Sequence, residues 1–192
     1  MWTLPILIDG LLEYVLYLVL QLGADFENEA LALMQSLLFD AKRRTTVCQP
    51  PHILPRDLLA ENLYKLDIIG TIRPTLFFFR EDMEKVHYLH QLGVAVRIKY
   101  NLKDLFVEAK KGLINISIED MEHFHLSKED LSNPSSPGWQ EYFESEARSG
   151  LRMIEMHRKS LKEAEFAPFT LAALNVVHER PAKKFLQGIA MP

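Results

Sequence analysis

One stretch of the chain, residues 91–117, carries the clearest structural pattern in the sequence. It begins as an apolar helix whose hydrophobic side chains are Leu92, Val94, Ala95, Val96 and Ile98. The helix is predicted to end at Gly112, because glycine readily adopts the left-handed conformation that closes a helix. No segment of the chain alternates apolar and polar residues over the four to eight positions that are typical of a strand. The sequence therefore predicts an all-α protein, with about six to eight helices in a bundle around a deep pocket.

Two carboxylates lie four residues apart near the end of this predicted helix, at Asp104 and Glu108. At roughly 3.6 residues per turn they fall on one face of the helix, one turn apart. That spacing suits Mg²⁺, which takes hard oxygen ligands and keeps several waters that a substrate phosphate can displace. Lys103, Lys110 and Lys111 flank the pair and could contact the same anion. The spacing by itself is also typical of a solvated helix face, which is the commoner origin of such pairs.

Composition limits the classes of protein to which the chain can belong. Its 192 residues suit a single domain, residues 1–192, with a sizeable core. A hydrophobic content of 48% beside 25% charged residues is typical of an ordinary globular protein. The net charge of −4 gives no indication of binding to nucleic acid. The single cysteine, Cys48, excludes an intramolecular disulfide and fits a reducing cytoplasm.

Residues 1–22 are strongly apolar, so a membrane segment has to be weighed against a core helix. Asp9 and Glu13 lie inside this run, and each would be costly at the depth of a bilayer. The run has neither the positively charged start nor the small-residue cleavage site of a signal peptide. We therefore expect a buried core helix in a cytoplasmic protein, with peripheral association with a membrane as the alternative.

Capping and helix-breaking residues predict several later boundaries. Ser117 followed by Asp120 is a capping pattern that predicts a short helix. Residues 132–138 are rich in serine and proline and predict a loop, after which Trp139 is expected to open a long amphipathic helix. Pro168 is expected to begin the next helix or to interrupt it.

The stretch LGVAVRIKYNLKDLFVEAKKGLINIS resembles the second aspartate-rich segment of the squalene/phytoene synthase family. In that family the segment reads roughly LGxxxQLxNxLRDVxEDxxxGRxYLP. Lys103 and Asp104 match its Arg-Asp pair, and Glu108 matches its second aspartate. Arg97 stands where the family has glutamine, and Tyr100 stands where it has asparagine.

A second and shorter likeness lies upstream, in the segment YKLDIIGT. It resembles a family segment that reads roughly YxYxVAGT, with Tyr64 and Gly70 in register. The resemblance covers about residues 34–190. It implies an all-α fold like that of the class I isoprenoid synthases, which is a helical bundle around a central apolar cavity.

The resemblance also implies an activity, the transfer of prenyl groups from allylic isoprenoid diphosphates. Asp104 and Glu108 would hold Mg²⁺ and serve catalysis, because Mg²⁺ assists the departure of diphosphate. The apolar cavity would then shield the resulting carbocation from water. The side chains implied in substrate binding come from the two matched segments and are Tyr64, Gly70, Arg97, Tyr100, Lys103, Lys110 and Lys111.

One departure from the family pattern leaves two functions open. The family has a first aspartate-rich motif well upstream, yet no DxxxD occurs in the residues before Met34. Asp9 and Glu13 have the right spacing, but their apolar setting and their register do not suit that motif. We expect either an N-terminally incomplete form of a longer enzyme or a non-catalytic relative that serves as a binding or assembly module. A single carboxylate motif should hold the metal cluster poorly, because both sides of the diphosphate need neutralising.

Overall fold

The structure is a computed structural model, and it describes residues 53–64, residues 72–190 and scattered helical positions between 31 and 42. The apolar run 1–22, with Asp9 and Glu13, lies outside the described residues, and so does Gly70. Among the helices that are described, none combines the length and the apolar character needed to cross a membrane.

Helices make up most of the described part of the chain. In chain order they are α1 (Arg56–Tyr64), α2 (Arg73–Phe78), a 3₁₀ helix (Met83–Leu89), α3 (His90–Ala109), α4 (Ile118–His123), a second 3₁₀ helix (Glu129–Ser132), α5 (Pro137–Ser160), α6 (Pro168–Ala173), a π-helix (Leu174–Glu179) and α7 (Arg180–Ala190). Among the residues that the structure describes, β-type pairing is limited to one isolated parallel bridge between Leu54 and Ser117, which both lie just before a helix. The predicted all-α class is therefore confirmed for the part of the chain that the structure describes.

The core lies where α3, α5 and α7 pack together. The buried apolar side chains recur at helical spacing, so each of these helices presents one hydrophobic face to the others. The residues that α3, α5 and α7 contribute include Leu92, Ala95, Val96, Leu102, Leu105, Trp139, Ala147, Ile154, Ala182 and Leu186. Gly150 allows close approach in this core, because a Cβ there would lie 2.7 Å from Leu186 Cδ1.

The ends of the helices around the candidate site follow the sequence signals. Gly112, just beyond α3, has a φ of +83°. The Leu113 amide donates back to the Glu108 carbonyl at 3.0 Å, which closes the helix. Ser117 caps α4, because its Oγ accepts a hydrogen bond from the Asp120 amide at 3.0 Å. These two predictions are confirmed.

The start of α5 differs from its prediction. The helix begins at Pro137 and not at Trp139, with Ser136 as the preceding cap residue. Proline is favoured in the first turn of a helix because its φ is already helical and because an amide there has no partner within the helix. The serine- and proline-rich loop is correspondingly shorter than predicted.

Gly138 sits where a side chain has no room, since a Cβ there would overlap the carbonyl oxygen of Phe124 and lie 2.9 Å from Leu126 Cδ2. Gly138→Ala is expected to lower the free energy of unfolding by about 2–3 kcal/mol, because a backbone carbonyl cannot turn aside as a side chain can. Gly188 in α7 is the matched control, because a Cβ there meets nothing within 4 Å. Gly188→Ala should stabilise the protein by about 0.5 kcal/mol. Urea unfolding of both variants tests this, and equal stability of Gly138→Ala and wild type would contradict it.

Two histidines are buried, one on α5 and one within the π-helix. His157 of α5 is 0% exposed and its Nδ1 lies 3.4 Å from the Tyr88 carbonyl oxygen. Its Nε2 lies 3.9 Å from Glu179 Oε2, and the other carboxylate oxygen, Glu179 Oε1, accepts a hydrogen bond from Arg158 Nε at 2.8 Å. His178 is 6% exposed and contacts Thr75 Oγ1 at 3.2 Å. Burial lowers the pKa of both imidazoles; Arg158 adds to the lowering at His157, and Tyr88 and Glu179 oppose it.

Stability is therefore expected to fall as the pH is lowered from 7.5 to 6. The unfolded chain, in which a histidine has a pKa near 6.5, takes up protons before the folded chain does. Each histidine can contribute a slope of as much as about 1.4 kcal/mol per pH unit below that value. Urea unfolding across this range measures the slope. His157→Gln should reduce the slope and leave the part that His178 contributes, and the same substitution at the exposed His123 should not change it. If the free energy of unfolding of the wild type did not change across this pH range, the explanation from the two buried histidines would be wrong.

Candidate functional site

A half-buried polar stripe runs along one face of α3. Its members are Arg97, Asn101, Asp104 and Glu108, spaced by four, three and four residues, which keeps them on one side of the helix. Arg97 Nη1 and Asn101 Oδ1 are 3.4 Å apart. The predicted proximity of Asp104 and Glu108 therefore holds in the helix, and Arg97 joins them on the same face.

Lys111 adds a cation at the C-terminal end of the polar stripe. The turn after Ala109 carries the chain back, and Lys111 Nζ lies 2.9 Å from Glu108 Oε1. The Glu108 side chain is 20% exposed in this pair and that of Lys111 is 53% exposed. A pair this open to water contributes little stability. Lys111 can therefore leave Glu108 for another anion at small cost.

Three of the other predicted contacts have side chains that are exposed to solvent, and the side chain of Tyr64 lies outside what the structure describes. Lys103 and Lys110 are exposed to solvent, and Tyr100 is 38% exposed with Lys99 Nζ 4.3 Å from its ring centroid. Tyr64 is the last residue of α1.

The polar stripe offers Mg²⁺ a partial set of ligands. Within the described ranges, no group of three or more His, Cys, Asp or Glu side chains is placed to hold a metal ion. Mg²⁺ in phosphate-binding sites commonly has only one or two protein carboxylates, and waters and substrate phosphate complete its shell. Asp104 and Glu108 supply hard oxygen ligands in that number, so the donor chemistry fits the ion.

A cavity of about 180 Å³ opens beside the N-terminal half of the polar stripe, between α1, α3, α4 and α5. Its lining combines an apolar wall with a small number of polar groups, a mixture typical of ligand sites. The lining residues are Arg56, Leu59, Ala60, Gly93, Val94, Arg97, Ile98, Asn101, Asn115, Ile116, Ser117, Asp120, Tyr142 and Glu146. Asp104 is about 10 Å along the helix from Arg97, so the carboxylate pair lies beyond the cavity.

An ion pair joins two of the helices that border this cavity. Arg56 Nη2 of α1 lies 2.7 Å from Asp120 Oδ1 of α4. The Arg56 amide also donates to Glu119 Oε2 at 2.8 Å, and the Ile118 amide donates to the Leu54 carbonyl at 3.0 Å. The hydrogen bond to Asp120 raises the pKa of the Arg56 guanidinium, which keeps its positive charge. These contacts hold the start of α1 against the start of α4.

Glu146 and Tyr142 bring two weak acids from α5 to the cavity. Burial raises the pKa of Glu146, and the nearby Asp120 carboxylate raises it further, while Arg56 opposes the effect. Burial also raises the pKa of the Tyr142 hydroxyl well above its usual value. At a given pH, Glu146 is therefore protonated more often than a glutamate in water.

Sequence reasoning missed Glu146, Tyr142, Arg56 and Asp120 as residues of a site. Glu146 leaves one signal, because it lies four residues after Tyr142 and one before the buried Ala147 on the apolar side of α5. An acidic residue on the apolar face of a helix is uncommon and points to a paired or functional group. Arg56 and Asp120 are 64 residues apart and leave no comparable signal.

Comparisons with protein-family models, with curated proteins and with solved structures found no match to this chain.

Proposed function

We propose that the protein binds allylic prenyl diphosphates through Mg²⁺ at Asp104 and Glu108 and transfers their prenyl groups, in the manner of squalene and phytoene synthases. One observation supports this above the others: Arg97, Asp104 and Glu108 share a half-buried face of α3. The proposal includes an isoprenoid-synthase-like arrangement of the bundle, in which this face borders the reaction cavity.

The acidic and basic residues of the site would have different roles. Asp104 and Glu108 hold the ion, and Lys111 lies close enough to Glu108 to turn to a diphosphate oxygen. Arg97 places a further positive charge about two turns away on the same face. Bound Mg²⁺ would supply Lewis-acid stabilisation of the departing diphosphate. Apolar side chains that border this face would limit the access of water to a reactive cation.

The decisive experiment measures pyrophosphate release from geranyl, farnesyl and geranylgeranyl diphosphates by the purified chain, with Mg²⁺ and with a chelator. We expect release above the uncatalysed background in Mg²⁺, and none in the chelator. Failure of a folded protein to release pyrophosphate from any of the three would contradict the enzyme proposal.

The second candidate is a non-catalytic relative that serves as a binding or assembly module. It is favoured by the small acidic set on α3, since no third metal-binding side chain joins the pair within the described ranges. This candidate predicts no turnover of an allylic diphosphate, even by a chain with further N-terminal residues. A non-reactive thiolodiphosphate analogue separates the two functions, because the binding module should treat the analogue and the substrate alike.

A further inference from the structure

We propose that an exposed apolar face on the last helical segment of the structure is a dimer interface, on which the same face of a second copy of the chain packs in the antiparallel direction. α6, the π-helix and α7 follow one another without a break, so they form one continuous helix from Pro168 to Ala190. The apolar face lies on the first half of this helix. It shares no residue with the polar stripe or with the lining of the cavity, so this inference does not depend on the proposed function.

The apolar face consists of hydrophobic side chains that lie open to solvent. Residues 166–177 contain no charged side chain. Within them Phe169 is 79% exposed, Val176 57% and Val177 61%, and Ala172 is exposed between them. The spacing of three to four residues from Phe169 to Ala172 and from Ala172 to Val176 makes them neighbours on the helix surface. A contiguous exposed apolar patch is typical of an interaction site.

An acidic end precedes the apolar face. Glu163 and Glu165 are exposed in the turn before α6, and the exposed Lys162 offsets one of their two negative charges. Lys85 Nζ contacts the Glu165 carbonyl oxygen, but Glu81 neutralises the charge of this lysine through a contact of 2.8 Å. This end of the face therefore keeps a net negative charge.

A basic end follows the apolar face. Arg180 and Lys184 are exposed on α7, and Lys183 is half-buried between them. The acidic residue beside them, Glu179, is buried and is neutralised by Arg158. An anionic lipid surface would attract this end and repel the acidic one. A second copy in the antiparallel direction brings opposite charges together at both ends, so the charges favour a copy of the chain as the partner.

A two-fold axis at residues 172–173 matches the apolar and the charged groups at the same time. In a two-fold contact each copy presents the same patch to the other. With the two helices antiparallel about this axis, Phe169 lies opposite Val176 of the partner subunit, and Glu165 lies opposite the partner subunit's Arg180. Both pairs are centred on the same point of the sequence. The residues at that point are alanines, whose small side chains let two helices approach closely.

Sedimentation equilibrium of the full chain over a series of concentrations, in a chelator and without prenyl diphosphate, tests the proposal. We expect the mass to approach twice the monomer value of 22.2 kDa at high concentration and to fall on dilution. Phe169→Ala should weaken dimerisation at least about thirtyfold, as the loss of a central aromatic residue does in other interfaces. It should unfold in urea like the wild type, because the side chain is exposed in the monomer. Val107→Ala, which removes an exposed apolar side chain of α3, is the matched control and should dimerise like the wild type.

Charge reversal tests the antiparallel pairing itself. Glu165→Lys and Arg180→Glu should each weaken self-association at least about tenfold, because each places like charges opposite one another at both ends of the interface. An equimolar mixture of the two variants should recover the wild-type affinity as a heterodimer, because both of its end contacts then join opposite charges. Residues with only a structural role within the monomer would not give this recovery.

Three outcomes would overturn the proposal. The first is a folded wild type that stays monomeric at every concentration, and flotation of that monomer with phosphatidylserine vesicles would assign the face to a lipid surface. The second is a Phe169→Ala variant that dimerises like the wild type, which would place the interface elsewhere. The third is a mixture of Glu165→Lys and Arg180→Glu that associates no better than either variant alone.

Discussion

Asp104→Asn is expected to reduce Mg²⁺-dependent release of pyrophosphate from an allylic diphosphate by about 10³-fold, a loss comparable to that of a main electrostatic contact in the transition state. Asparagine keeps the size of the side chain and removes the charge that Mg²⁺ prefers among oxygen ligands. The polar stripe on α3 offers only Glu108 as a second carboxylate. The remaining ligand would then have to hold the ion and the diphosphate alone. Steady-state rates across a range of Mg²⁺ concentrations measure the effect.

Glu108→Gln tests the second carboxylate of the same site. It should lower the rate to a similar degree and should also release Lys111 from its 2.9 Å contact. Glu155→Gln on the exposed face of α5 is the control for loss of one acidic charge and should keep the wild-type rate. Circular dichroism checks that each variant is folded. Wild-type rates in both Asp104→Asn and Glu108→Gln would remove the two carboxylates from the mechanism.

Trp139→Ala is expected to lower the free energy of unfolding by about 3–5 kcal/mol, the usual cost of removing a large buried aromatic side chain. Trp139 is 2% exposed, and its ring meets Phe106 of α3 edge-on with centroids 5.1 Å apart. Its Nε1 donates to the Asp130 carbonyl at 2.9 Å, which ties the start of α5 to the second 3₁₀ helix. Truncation would leave a void and an unpaired carbonyl at the same place.

Trp139→Phe divides this effect into its parts. A phenylalanine keeps most of the aromatic contact with Phe106 and Phe143 and loses the hydrogen bond to Asp130. It should cost less than alanine by about 2 kcal/mol or more. Urea unfolding followed by far-ultraviolet circular dichroism measures both variants without relying on tryptophan fluorescence. A loss below about 1 kcal/mol for Trp139→Ala would mean that the surrounding side chains collapse into the space.

Features with local causes could be predicted from the sequence. Gly112 closes α3, and Ser117 caps α4, through bonds to residues a few positions away. The face shared by Asp104 and Glu108 follows from helical spacing alone. The π-helix was missed, although Pro181 offers a physical reason for it. In a regular α-helix the Pro181 ring would clash with the Val177 carbonyl, and the π-helix covers that position.

The residues that line the cavity could not be predicted because four helices from distant parts of the chain contribute them. Arg56 and Asp120 meet only after α1 and α4 come together across 64 residues. The pKa of Glu146 depends on that meeting as well, since Asp120 is one of the groups that raise it. A motif search detects residues that are near one another in sequence. This site depends instead on burial and on charged residues from distant parts of the chain.

The hydrogen bond from the Ile118 amide to the Leu54 carbonyl makes one amide proton a reporter on the seating of α1. That proton can exchange with deuterated solvent only when the hydrogen bond to the Leu54 carbonyl breaks. α1 is short, and its Leu58 is 40% exposed, so its detachment should need less free energy than unfolding of the core. Exchange at Ile118 that outpaces exchange in the middle of α3 would reveal how often α1 leaves α4 and removes one wall of the cavity. A molecule that fills the cavity would slow exchange at this amide while leaving the α3 amides unchanged.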